Sequence, residues 1–242
     1  MHWMKGCVTA AVCVVSIGMW AQDQEKPKNL QYFPKDISRK ELIGIMRQFS
    51  FATGMRCEGC HVEKADKKID FPSDDKEEKR TARVMLKMVD DINKSYIGKL
   101  GKTDAVQVQC VTCHRGLAKP ISINQILAEM IDKRDVNAAI AEYKDLRTKY
   151  YGSARYDFSE TPLNILTESL LAKDKAKDAV AITEMNSELN GPISGWTQHL
   201  LAMAHIANGD KDKAKADLKT ILSAHPDDKW AKEQWEKLQG GQ

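Results

Sequence analysis

The sequence predicts an all-α protein in two parts: a domain of helix–C-x-x-C-H units, then a short solenoid of helix pairs. Three observations carry that expectation. Alternation of apolar and polar residues, the mark of a half-buried strand, is nearly absent along the 242 residues. Apolar residues recur instead at helical spacing, as in Met85, Met88, Val89, Ile92 and Tyr96. Glycines and prolines sit mostly at the joints between such runs.

Residues 1–21 read as a secretory signal peptide. Lys5 supplies the positive charge, and Cys7 to Trp20 is an apolar run too short to span a bilayer comfortably. Met19-Trp20-Ala21 before Gln22 offers a cleavage site. The expectation is Sec export to the periplasm or another extracytoplasmic space as a soluble protein, with an uncleaved membrane anchor as the alternative. Cleavage would remove Cys7 and Cys13, two of six cysteines, leaving none for a structural disulfide outside the two motifs described below. It would also remove Lys5, taking the net charge from +3 to +2, too balanced for a nucleic-acid binder.

The next domain is expected over residues 22–120. A polar arm, 22–36, ends in Leu30, Tyr32, Phe33 and Pro34, with the aromatic pair packing on the domain. A helix should open at Ser38, where Ser38 and Glu41 form a capping box. Leu42, Ile43, Ile45, Met46 and Phe49 give it an apolar face, and Gly54 can end it. Residues 62–73 read as a charged loop anchored by Phe71-Pro72. A second long helix should begin near Asp74, with Glu77 three residues on, and stop around Gly98 to Gly101. The charge run from Asp74 to Arg80 reads as solvated helix surface.

Each of these helices leads to a C-x-x-C-H string: Cys57-Glu58-Gly59-Cys60-His61, then Cys110-Val111-Thr112-Cys113-His114. This spacing is the attachment site of a c-type haem. Two intervening residues let both thiols reach the macrocycle from one turn and add across its vinyl groups as thioethers. The following imidazole is then placed under the iron as proximal ligand. Two strings imply two covalently bound haem c groups. A four-thiolate zinc site would not require His after both cysteine pairs, and a disulfide framework leaves the histidines unexplained.

The opposite axial position decides the chemistry. A Met thioether gives a six-coordinate electron carrier, whereas an open position admits ligand or peroxide chemistry. Met46, Met85 and Met88 are the candidates, each on the helix ahead of a motif. Met55 is too near Cys57 to reach the far face. No His lies between His61 and His114; those at 199, 205 and 225 read as structural or surface groups.

The order Met46, Cys57-x-x-Cys60-His61, Ala82-Arg83-Val84-Met85-Leu86-Lys87-Met88, Ile92-Asn93, then Val111-Thr112-Cys113-His114-Arg115-Gly116 resembles the cytochrome c subunit of photosynthetic reaction centres. That family carries four haems in two similar halves, and residues 30 to 120 resemble one half. The resemblance implies Met46 as the sixth ligand of the haem at His61, and Met85 as that of the haem at His114, with Met88 as its alternative. The family's helix histidine ligand has no counterpart here, where Lys99 stands near that place. Two independent His/Met haems and no third are therefore expected. The resemblance does not imply a photosynthetic role.

Residues 121–242 change texture. Helix patterns centred on Ala139, Ala179 and Ala214 follow one another at close to the tetratricopeptide period. Leu201, Ala202, His205, Ala214, Leu218, Ile221 and Pro226 fall where that repeat places its packing residues, its small contact residue and its terminating proline. Trp230 and Trp235 are expected to cap the stack. Such a stack has no chemistry of its own and offers a face to a peptide or protein, or mediates assembly. No catalytic triad, phosphate loop or mechanistic carboxylate pair is present. The expectation is thus an exported dihaem electron carrier rather than an enzyme, working between a protein donor and a protein acceptor, with homo-oligomers left open. A dihaem peroxidase and a haem-stabilised scaffold are the alternatives.

Overall fold

A computed structural model of the chain describes residues 26–191 and 193–240. The expected signal peptide lies outside the described residues. Their regular elements are helices, as the apolar spacing predicts, apart from one small hairpin. Among them no helix is long and apolar enough to cross a membrane. The chain divides into two compact units, with the boundary between Ala118 and Lys119.

In the first unit, α1 (Arg39–Thr53) is capped by the Ser38 hydroxyl, which accepts from the Glu41 backbone N–H at 3.1 Å. Gly54, at φ 72°, ends it in the left-handed region and donates to the Ser50 carbonyl. Phe33 of the preceding arm stacks on Phe49 of α1, with ring centroids 6.4 Å apart. The first motif forms a single helical turn, α2 (Cys57–Cys60).

The loop expected at 62–73 contains the hairpin, β1 (Val62–Glu63) antiparallel to β2 (Ile69–Asp70), with Val62 opposite Asp70. Strands this short carry no alternation pattern, so periodicity could not find them.

The second long helix, α3 (Glu77–Asp91), starts three residues later than Asp74 suggested. Asp74 does not cap it. Its carboxylate pairs with Lys79 at 3.0 Å and Arg83 at 2.8 Å, and accepts from Gln31 at 3.0 Å. The 74–80 run is therefore not simply solvated surface, since Lys79 turns inward and is largely buried. After Asp91 the helix loosens into a π-helical turn over Ile92–Tyr96, then a 3₁₀ turn over Ile97–Leu100. It stops at Gly101, at φ 64°. The second motif forms α4 (Cys110–His114).

The second unit holds seven helices among the described residues: α5 (Ile123–Lys133), α6 (Val136–Tyr150), α7 (Glu160–Leu171), α8 (Ala176–Leu189), α9 (Gly195–Asn208), α10 (Lys211–Ala224) and α11 (Lys229–Gln239). They pack as successive pairs, α5 on α6, α7 on α8 and α9 on α10, with α11 against α10. Ala139, Ala179 and Ala214 are each fully buried, where a larger side chain would hold the paired helices apart. Trp230 and Trp235 lie half-buried over Ala202, Leu218, Ile221 and Ala231.

A polar ladder crosses this core. Asn164 Nδ2 donates to Thr197 Oγ1 at 2.8 Å, Asn186 Nδ2 donates to Asn164 Oδ1 at 2.8 Å, and the Thr167 and Thr183 hydroxyls pair at 2.9 Å. All five side chains are fully buried, and each finds a partner on a neighbouring helix.

Candidate functional site

The two motifs are delivered by different local devices. α1 runs straight into the first one: Gly54 breaks the helix, and Cys57 begins the next turn. His61 N–H donates to the Cys57 carbonyl at 2.9 Å and closes that turn, while Lys76 Nζ holds the Glu58 carbonyl at 2.7 Å. The second motif is reached through the loop after Gly101. Asn93, in the π-helical turn, donates to the Val108 carbonyl at 2.8 Å and accepts from its N–H at 2.7 Å, fixing the loop two residues before Cys110. Gln109 and Thr112 then form a capping box on α4.

A backbone joint ties the motifs together. Gly116 N–H donates to the Ala52 carbonyl at 2.8 Å, satisfying one of the free carbonyls at the end of α1. A Cβ at Gly54 would collide with the Gly116 carbonyl oxygen, so the two chains meet backbone to backbone. Consequently α1, which bears Met46, lies against α4, while α3, which bears Met85 and Met88, lies against α2.

The histidines differ. His114 Nδ1 donates to the Leu117 carbonyl at 2.8 Å, with the N–H on Nδ1 in the tautomer that frees Nε2 as a ligand. His61 Nδ1 is buried without a hydrogen-bond partner. Burial pushes the His61 pKa down, Lys79 and Arg83 push it further, and only the Phe71 carbonyl opposes them. The neutral imidazole is the form that binds a metal. The Phe71 ring stands edge-on to His61, with centroids 5.1 Å apart. At Cys60, burial and the Glu78 carboxylate push the thiol pKa up.

These residues fit covalently bound haem better than the rivals raised by the sequence. None of the four motif cysteines is paired in a disulfide. Among the described residues no group of three or more His, Cys, Asp or Glu side chains is gathered as for a metal ion. The four thiols thus do not converge as zinc ligands would. An orphaned buried imidazole nitrogen and apolar helix faces that protein does not cover suit a large apolar macrocycle. Met85 and Met88 are 39% and 45% exposed, and Val84 is 62% exposed. The stripe expected to pack inward on α3 is therefore not buried by protein, and no α3 residue is. Met46 is half-buried.

In the second unit, His205 is buried between Asp217 Oδ2 at 2.6 Å and Glu184 Oε1 at 3.4 Å, and His199 meets Asp228 Oδ2 at 2.9 Å. His225 is exposed. The sequence signalled neither the Asp74 cluster nor the Leu117 and Phe71 carbonyls, because backbone acceptors leave no residue-type signature.

Residues 22–133 match the family of the photosynthetic reaction centre cytochrome C subunit. A stretch of 94 residues is 34% identical to cytochrome c-554 of Chloroflexus aurantiacus, covering 35% of this chain and 22% of that protein. The chain thus spans about a fifth of the length of the curated relative it matches. No solved structure matches. Across the segment that holds both C-x-x-C-H turns, the chain is similar to reaction-centre-type cytochromes c, and that likeness implies covalently bound haem c.

Proposed function

We propose that the protein is an exported dihaem c-type cytochrome that carries single electrons between protein partners, its helix pairs forming a tetratricopeptide-like docking or assembly module. The observation that carries this reading is the joint at Ala52 and Gly116, which places two C-x-x-C-H turns within a few residues of one contact. Haem c, when bound, supplies an iron that cycles between ferric and ferrous states.

The chain's own residues do the rest. Cys57, Cys60, Cys110 and Cys113 would hold the macrocycles as thioethers. His61 and His114 stand ready as proximal ligands, each as the neutral ring when ligating. Met46, with Met85 or Met88, would supply soft thioether sulfur to the iron, which would favour its reduced state. The similarity to the family supports Met46 for the haem at His61 and Met85 for the haem at His114. The apolar faces of α1 and α3 would cover the macrocycles and exclude water from them. In the sequence no His or Glu adjoins Met46, Met85 or Met88 to help cleave an O–O bond, which favours electron transfer over peroxidase chemistry. The helix pairs of the second unit add no reactive group and suit recognition of a peptide or protein segment.

The test is a spectroelectrochemical titration of the protein matured with haem, beside Met46→Ala, Met85→Ala and Met88→Ala. Two haems per chain, a low-spin spectrum and a Met-to-iron charge-transfer band in the oxidised state are expected. Two of the three substitutions should each convert one haem to a high-spin form. A high-spin resting protein with rapid peroxide turnover would refute the carrier reading.

A further inference from the structure

The two proximal histidines have unequal surroundings. His114 Nδ1–H has the Leu117 carbonyl at 2.8 Å, and no other hydrogen bond reaches that carbonyl among the described residues. A strong acceptor on Nδ1–H gives the imidazole imidazolate character, raises its basicity and favours ferric iron. Phe71, whose ring packs edge-on against His61 with centroids 5.1 Å apart, also presents its carbonyl oxygen to this histidine. That oxygen already accepts from Lys79 Nζ at 2.8 Å, and the same ammonium holds the Pro72 carbonyl at 2.9 Å and the Ser73 carbonyl at 2.7 Å. His61 Nδ1 is left without a bond.

Charge points the same way. Lys79 and Arg83 share one carboxylate, Asp74, and Lys79 reaches the backbone of Phe71, whose ring packs on His61. A cation near the ligand disfavours the extra positive charge of ferric iron. Beside His114, Arg115 is exposed and screened by solvent.

We infer that Lys79 is a positioning residue for the first haem: by occupying the Phe71 carbonyl and placing its charge beside His61, it makes the Cys57–His61 haem the higher-potential centre. An electron entering at the Cys110–His114 haem then leaves that ferrous iron and reduces the ferric iron at His61, with no proton required. This rests on the dihaem reading above.

The test uses the full chain matured with two haems, titrated by spectroelectrochemistry. The Cys110→Ala/Cys113→Ala and Cys57→Ala/Cys60→Ala variants assign the two one-electron steps. The upper step should belong to the His61 haem. Lys79→Gln frees the Phe71 carbonyl and removes the charge. It should lower the upper step alone, shifting the electron partition between haems by on the order of tenfold, about 59 mV for a one-electron couple. Lys79→Arg should restore most of that shift, and Arg83→Gln should give a smaller lowering.

Should Lys79→Gln fail to hold haem, proton NMR of the reduced wild type decides. His114 Nδ1–H should resonate downfield of His61 Nδ1–H and exchange more slowly. An unmoved upper step, a reversed assignment or equivalent ring protons would overturn the inference while leaving a dihaem carrier intact. One haem per chain would overturn both.

Discussion

The two units solve the same problem, stabilising a set of helices, by different means. In the second, protein buries protein: Leu127, Tyr143, Leu163, Ile182, Leu218 and Ile221 are all sealed from water. In the first, the buried hydrophobic residues are Ile37 and Ala52 alone among the described residues. Phe51, Val84, Met88, Tyr96 and Val106 stay exposed there. Both units have amphipathic helices and good caps, so helix formation is not the difference. The difference is what the apolar faces meet. A chain of this length with so little internal core is marginal without a covalent or metal-based staple. Two thioether-bound haems would supply one.

The largest effect should come from withholding haem. Expressed without cytochrome maturation, the chain should keep slow hydrogen exchange in 123–239 and lose it in 39–114. A protected first unit in haem-free protein would break the comparison outright.

Truncations in each unit sharpen it. Leu218→Ala, in the second core, should cost about 2–5 kcal/mol of unfolding free energy. Val84→Ala, on an exposed face, should change it by about 0.5 kcal/mol or less in haem-free protein. Chemical denaturation followed by circular dichroism measures both. Equal losses would mean that the first unit has a core after all.

Gly54→Ala tests the joint. The substitution forces a β-carbon into a left-handed backbone position and against the Gly116 carbonyl oxygen. The backbone alone costs about 1–3 kcal/mol, and the collision adds to it. The haem-loaded variant should melt earlier in the haem band, and Gly209→Ala, also at positive φ but with open space around it, should be milder.

What the sequence displayed follows the same division. The fixed spacing of Cys57, Cys60, His61, Cys110, Cys113 and His114, on which the haem proposal rests, was legible as a pattern. So were the Ser38 cap, the Gly54 stop and the buried alanines at 139, 179 and 214, because each rests on a local or periodic rule. The hidden features depend on pairings across the fold. Asn164 finds Asn186 and Thr197, which are 22 and 33 residues away, and no spacing rule links them. Arg147 likewise reaches Asn190 Oδ1 and the Phe158 carbonyl, both at 3.2 Å, a bracket no spacing rule encodes. The Asp74 start signal misled because a capping residue and an ion-pair hub use the same side chain, and tertiary partners won.

The smallest effect, and the finest contrast between the units, lies in two aspartates with opposite pH dependence. Arg83, Asn29 and Lys79 together hold the Asp74 carboxyl well below the usual carboxylate range. Its contribution to the first unit is therefore present above the ordinary carboxylate pKa of about 4 and lost as pH falls through the depressed folded value. Burial raises the Asp217 pKa, against the pull of His205. Its contribution to the second unit is fully present below the ordinary carboxylate pKa and is lost as pH rises through the raised folded value. Melting temperatures of the haem-loaded protein from pH 3 to 7, with the haem band reporting the first unit and helical ellipticity the second, separate the two. The wild type's margin over Asp74→Asn should widen as pH rises, and its margin over Asp217→Asn should narrow. Parallel slopes would mean that the Asp74 cluster is too well screened by water to matter, as surface ion pairs commonly are.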